Sequence, residues 1–122
     1  MNALTVAVLG ASANPDRYSN MAVRRLLDAG HRVIPINPAL DTIEDLPVVK
    51  SLADIGEPVD TLTLYVGPQR LAPLAGEIVR LAPRRVIFNP GTECPGVAAA
   101  LDRAGIAHTE ACTLVLLQTG QF

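Results

Sequence analysis

Val6-Ala7-Val8-Leu9-Gly10-Ala11-Ser12 is the stretch on which the fold turns. The run from Leu4 to Leu9 is short, apolar and partly β-branched, and it stops at Gly10, which predicts a buried strand. A polar loop follows, Ala11-Ser12-Ala13-Asn14-Pro15-Asp16-Arg17-Tyr18. Ser19 or Asn20 is then placed to cap a helix running to Ala29, with Met21, Val23, Leu26 and Leu27 facing inward and Gly30 as its stop. Strand, glycine, small residues and helix start in succession bring backbone N–H groups to the strand end, where a diphosphate can sit.

The same alternation continues outward. Arg32 to Ile36 reads as a second strand, ended by Asn37-Pro38. Ala39 to Glu57 is the least periodic stretch, and a loop followed by a short helix around Ser51 to Ile55 is expected there. Thr61 to Val66 is a third strand, closed by Gly67-Pro68. Leu74, Ile78 and Leu81 recur at helical spacing and predict a helix from Pro73 to Ala82. Arg85 to Phe88 is a fourth strand, Pro95 to Ala104 a helix with Gly105 beyond its end, and Ile106 to Thr109 a fifth strand. The apolar tail, Leu114 to Leu117, is expected to pack on the sheet. Strands alternating with helices predict a single α/β domain over residues 1–122. Its expected core is a Rossmann-like, doubly wound parallel sheet of about five strands in the order 3-2-1-4-5, with helices on both faces. The switch point then falls between the first and fourth strands, and ligands of such sheets bind at the carboxyl ends there.

Composition narrows the function. The chain has 122 residues, of which 49% are apolar and only 18% charged, the balance of one packed domain. Aromatics are scarce, so the core is to be built from Val, Leu, Ile and Ala, as in parallel sheets covered by helices. A net charge of −2 and a pI of about 5.6 give no basic surface for a nucleic acid. No apolar run approaches the ~18 residues of a membrane span, and Met1 to Thr5 lacks the basic region of a secretory signal. Cys94 and Cys112 form neither a CxxC pair nor a metal-binding spacing. A cytoplasmic protein with reduced thiols and no metal is the expectation.

Four strand-end loops are left to carry the chemistry. Gly10, Ala11 and Ser12 open the first, which keeps only the first glycine of GxGxxG; Arg17 and Ser19 add a cation and a hydroxyl suited to phosphate oxygens. After the second strand stand Asn37 and Pro38, where a typical NAD site places an acidic residue for the ribose hydroxyls. The third and fourth loops, Val66-Gly67-Pro68 and Asn89-Pro90-Gly91-Thr92-Glu93, let a ligand lie close along the main chain.

Taken with Arg17-Tyr18-Ser19-Asn20 and Gly30-His31-Arg32-Val33-Ile34-Pro35-Ile36-Asn37-Pro38, the opening stretch resembles the small bacterial CoA-binding domain proteins. Their fold is similar to that of the CoA-binding domain of the succinyl-CoA synthetase α subunit. Thr63 to Pro68, Phe88 to Glu93 and Glu110-Ala111-Cys112 fall in step with that family's loops. The resemblance implies CoA phosphates near Gly10, Ala11, Ser12, Arg17 and Ser19. It implies adenosine along Asn37 and Pro38, and the rest of CoA or acyl-CoA across Val66, Gly67, Pro68, Asn89, Pro90 and Gly91. The chain departs from the family at Phe88-Asn89, where many relatives carry an aromatic residue and Gln, and in its apolar segment after Cys112. The synthetases' phosphorylated histidine lies in another domain that has no counterpart here.

No catalytic constellation is evident. His31 opens the second strand at the end away from the cleft and is expected at the surface, His108 has no triad partner beside it, and Glu93 reads as a capping carboxylate. Cys94 and Cys112 read as packing residues, a mixed disulfide with the CoA thiol being the sharper alternative. The expected function is therefore a CoA-binding carrier, sensor or regulatory module without catalysis of its own. The alternatives are an NAD(P)-binding oxidoreductase or its cofactor domain, and a partner-docking domain with a vestigial cleft.

Overall fold

The computed structural model describes residues 3–122. Five parallel strands form one sheet: β1 (Thr5–Leu9), β2 (Arg32–Ile36), β5 (Thr61–Leu64), β6 (Arg85–Phe88) and β7 (Ala107–Glu110). A two-residue hairpin, β3 (Thr42–Ile43) with β4 (Leu46–Pro47), and a 3-10 turn, Leu52–Asp54, fill the stretch between β2 and β5. The helices are α1 (Tyr18–Asp28), α2 (Pro68–Leu71), α3 (Ala75–Leu81), α4 (Pro95–Ala104) and α5 (Thr113–Gln118).

The period-two alternation of the strands builds two cores. Val6 and Val8 point to one face and pack with Val23 and Leu26 of α1, Ile43 of the hairpin and Leu117 of α5. Ala7, Leu9, Leu62, Leu64, Val86 and Phe88 point to the other and pack with Ile78 of α3 and Val97 and Leu101 of α4. Helices therefore cover both faces of a Rossmann-like sheet, as the sequence predicts. No helix among the described residues is long and apolar enough to cross a membrane.

The strand order differs in detail from the expected 3-2-1-4-5. It runs β2-β1-β5-β6-β7, which in the five-strand count is 2-1-3-4-5. The third strand pairs with the first instead of lying at the edge, with Val6 opposite Thr61 and Leu9 opposite Leu64. Burial gives one sign: all four residues of β5 are buried, as suits a strand between two others, whereas three of four in the edge strand β7 are exposed. Pro35 gives a second. The bonds Asn37 N–H to Val49 O and Val49 N–H to Pro35 O run along the outer side of β2, so the missing proline N–H faces the sheet's edge. The switch point accordingly lies between β1 and β5.

Other boundaries shift for local reasons. Arg17, not Ser19 or Asn20, is the N-cap of α1, and it makes no side-chain cap bond. Helix begins at Pro68, not Pro73, because Pro68 occupies the first turn of α2 and a 3-10 turn, Ala72–Leu74, joins α2 to α3. His31 is buried at 9% exposure instead of lying at the surface; its Nδ1 accepts the Leu4 N–H at 3.0 Å and its ring lies 5.3 Å from that of Phe122.

Gly10 occupies the tightest point, with φ +86° and a Cβ built on it 2.9 Å from the Tyr65 carbonyl oxygen and 2.8 Å from Val66 Cγ1. Gly10→Ala would combine left-handed strain with a clash against main chain that cannot retreat. It is expected to cost about 3 kcal/mol of stability, read by urea unfolding.

Candidate functional site

Where the ends of β1 and β5 part, a hollow of about 550 Å³ opens above the sheet. Of the thirteen residues singled out from sequence, eleven line it: Gly10, Ala11, Ser12, Arg17, Ser19, Asn37, Pro38, Val66, Gly67, Pro90 and Gly91. The chain crossovers leave the sheet in opposite directions at this point, which is why four loops converge there. Pro68 instead starts α2, and Asn89 is buried beneath the hollow. The Asn89 amide is fully engaged: its Nδ2 donates to Thr63 Oγ1 at 2.7 Å and Leu64 O at 2.9 Å, and its Oδ1 accepts the Thr113 N–H at 2.8 Å.

The donors of the hollow differ from those a glycine-loop reading suggests. Gly10 and Ala11 both give their N–H to Ile36 O, at 3.2 and 3.1 Å. Ser12 Oγ accepts the Asn14 N–H, and Asn14 Oδ1 accepts the Asp16 N–H, both at 3.0 Å, so the loop is braced in part from within. Further available N–H groups belong to α1. Its first intrahelical bond runs from Met21 N–H to Arg17 O, so the N–H groups of Tyr18, Ser19 and Asn20 precede the ladder. No acidic residue lies in that first turn, and Arg17 stands at its mouth. A helix start of eleven residues beside a guanidinium is a strong place for a phosphate oxygen.

Asn37 is a brace. Its Nδ2 donates to Ala11 O at 2.9 Å while its Oδ1 accepts from the N–H groups of Ala39 and Leu40 at 2.8 and 3.1 Å. Asn20, wholly buried, performs the same service from α1, donating to Ser12 O at 2.8 Å and Glu44 Oε2 at 3.2 Å. The two amides hold the loop after β1 from either side.

A second hollow of about 360 Å³ shares Gly10, Pro38, Val66 and Arg70 with the first. Leu9, Ile36, Leu52 and Leu74 make it mainly apolar, with Lys50, Arg70 and Glu77 among its lining. Together the two form one cleft with a polar half and an apolar half. Arg70 and Lys50 were not identified from the sequence. Arg70 follows Gly67-Pro68 within one helical turn, a spacing that points to the strand end once α2 is seen to begin at Pro68. Lys50 reaches the cleft only through tertiary pairing, so no local pattern marks it.

The sequence profile of the family described as CoA binding domain matches residues 4–118. The chain belongs to that family. YneT of Bacillus subtilis is 35% identical over 74 residues, 61% of this chain but 55% of YneT, so the match spans little more than half of that relative. The crystal structure of an uncharacterized protein superposes with a TM-score of 0.93 at 36% identity, covering 100% of both chains. A Thermus thermophilus structure, cell-free ID.343, gives a TM-score of 0.90 at 34% identity over 98% of this chain and 91% of that one.

The remaining reactive groups of this CoA-binding domain lie apart from the cleft. His108 Nε2 meets Asp102 Oδ1 at 2.7 Å, a partner the sequence reading did not find, in a separate hollow that Cys94 and Glu93 also line. Glu93 Oε1 accepts the Gly91 N–H at 3.0 Å, so its carboxylate caps its own loop. Cys94 and Cys112 are free thiols, and neither lines the cleft. Among the described residues no three His, Cys, Asp or Glu side chains stand close enough to hold a metal ion.

Tyr65 lines the polar half, yet its hydroxyl is buried without a hydrogen-bond partner. Burial pushes the phenol up to about 12, an effect that nearby Thr113 and Thr63 offset only in part. The neutral phenol is thus the folded form, and an unfolded tyrosine ionises near ~10. The resulting stabilisation is complete below pH ~10 and is lost as pH rises toward ~12. Relative to Tyr65→Phe, the parent chain should lose about 1 kcal/mol between pH ~9 and pH ~11, measured by urea unfolding of both.

Proposed function

We propose that the chain binds coenzyme A, free or as an acyl thioester, in the cleft at the β1/β5 switch, and that it acts as a carrier, sensor or regulatory module. The observation that carries this reading is the division of one continuous cleft into two chemistries. The polar half offers the first-turn N–H groups of α1 with Arg17 and Arg70, and the apolar half offers a slot between Leu9, Ile36, Leu52 and Leu74. A diphosphate suits the first and an adenine ring the second. The ribose then crosses Pro38, and the pantetheine arm runs over Val66, Gly67, Pro90 and Gly91. Family membership supports the same ligand.

The NAD(P) reading fares worse on a specific observation. The ribose-holding position after β2 carries Asn37, whose oxygen is already taken by two backbone N–H groups. A dinucleotide ribose loses there the acceptor that a carboxylate would supply.

Thermal unfolding in the presence of CoA, acetyl-CoA, NAD and NADP tests the proposal. At a hundredfold excess over Kd, a ligand of the folded state adds about 2.7 kcal/mol and raises Tm by several degrees. CoA or acetyl-CoA is expected to do so, and Arg17→Ala to weaken that binding about tenfold by removing a charge-assisted contact. A larger shift with NAD or NADP, or none with any of the four, overturns the reading.

A further inference from the structure

The two edges of the sheet are finished differently. Along β2 the outer side is occupied: Val49 N–H donates to Pro35 O and Asn37 N–H to Val49 O, both at 3.1 Å. Along β7 it is bare. Ala111 N–H donates to Phe88 O, so by the alternation of a parallel ladder residues 107, 109 and 111 turn their main-chain groups toward β6. The N–H and C=O groups of His108 and Glu110 therefore point out of the sheet, and among the described residues nothing bonds to them. β7 has no proline, lysine or bulge, the common protections of an edge.

From this edge we infer that β7 pairs with β7 of a second copy of the chain, antiparallel about a two-fold axis through Thr109, joining two five-stranded sheets into one. The register follows from the free groups. Centred on Thr109, His108 of each copy lies opposite Glu110 of the other, and each such pair exchanges two main-chain bonds. Centred on Glu110, two carboxylates face each other. Centred on His108, Glu110 meets Ile106, whose N–H already donates to Leu101 O at 2.9 Å. Only the first register matches every free donor with a free acceptor, as an isologous contact requires. The side chains agree with it. His108 and Glu110 lie on the α4 face, lining a hollow of about 350 Å³ with Phe88 and Ala98. A carboxylate of one copy there meets an imidazole of the other, an opposed pair of the favourable kind. The acids nearby are engaged within their own chain, Asp102 with His108 Nε2 at 2.7 Å and Glu93 with Gly91 N–H at 3.0 Å. On the other face the exposed Thr109 of each copy meets its equivalent. Four residues a side make a small contact of the weak, transient class.

Sedimentation velocity of the whole chain from roughly 10 μM to 1 mM tests the pairing. The mass is expected to rise from 12.9 kDa toward twice that value with concentration. Glu110→Pro removes an N–H that the parent sheet does not use, and should raise the dissociation constant at least tenfold. Val115→Asp, on the exposed side of α5, should leave it unchanged. Circular dichroism shows whether each variant is folded. Amide exchange of the parent needs no substitution: protection of the His108 and Glu110 N–H groups should grow with concentration. A chain monomeric throughout, a dimer that folded Glu110→Pro retains or Val115→Asp abolishes, or protection at those two amides that ignores concentration overturns the proposal.

Discussion

Everything at the cleft depends on how closely the chain leaving β1 passes the chain leaving β5. The approach is possible only because residue 10 has no side chain: its φ is +86° and Tyr65 O would stand 2.9 Å from a Cβ there. That contact lets the Gly10 and Ala11 N–H groups turn sideways to Ile36 O on the neighbouring strand. The loop is thereby tied down by its own main chain, beside the first turn of α1 with its own N–H groups free of the ladder. Backbone geometry at one residue thus shapes which donors face the hollow.

Beneath the cleft lies a second device, built from polar groups in an otherwise aliphatic protein. Thr63 on β5, Asn89 after β6 and Thr113 at the start of α5 are all buried and bonded to one another, with Thr63 and Thr113 oxygens 2.8 Å apart. A buried amide is costly unless every group finds a partner, and here each does. The network anchors the C-terminal helix to the base of the site, where an apolar contact would fix position but not register. The Tyr65 hydroxyl stands at its margin unpaired, so the same region holds both the most satisfied and the least satisfied polar groups of the cleft.

Much of the fold was legible in the sequence because the strands are short and bounded by turn-formers. All five sheet strands, α4 and the positions of the four loops follow from local pattern. The strand order departs in detail from the expected one, and the sequence carries one sign of it. Pro35 inside the second strand argues for an edge, and the run from Thr61 to Leu64 is buried throughout. The hairpin at 42–47 has no local signature because each arm has two residues and its turn places Glu44 as well as Asp45 at positive φ without a glycine. Eleven candidate residues converge because loops at strand ends must do so in a parallel sheet. Lys50 and Arg70 stayed hidden because their places depend on tertiary pairing and on where a helix begins.

The electrostatics of the cleft run against those of the whole chain. A net charge of −2 gives no long-range attraction for an anionic ligand. Arg17, Arg70 and Lys50 nevertheless line the two adjoining hollows, against Asp16 and Glu77, where the aligned dipoles of α1 add partial positive charge and apolar walls limit screening. Attraction is therefore short in range. It acts on a ligand only after the ligand enters, when its base has shed water into the slot formed by Leu9, Ile36, Leu52 and Leu74. Inorganic phosphate has no base to bury, so it draws on the polar half alone, whereas a nucleotide offers both a charged chain and an apolar ring.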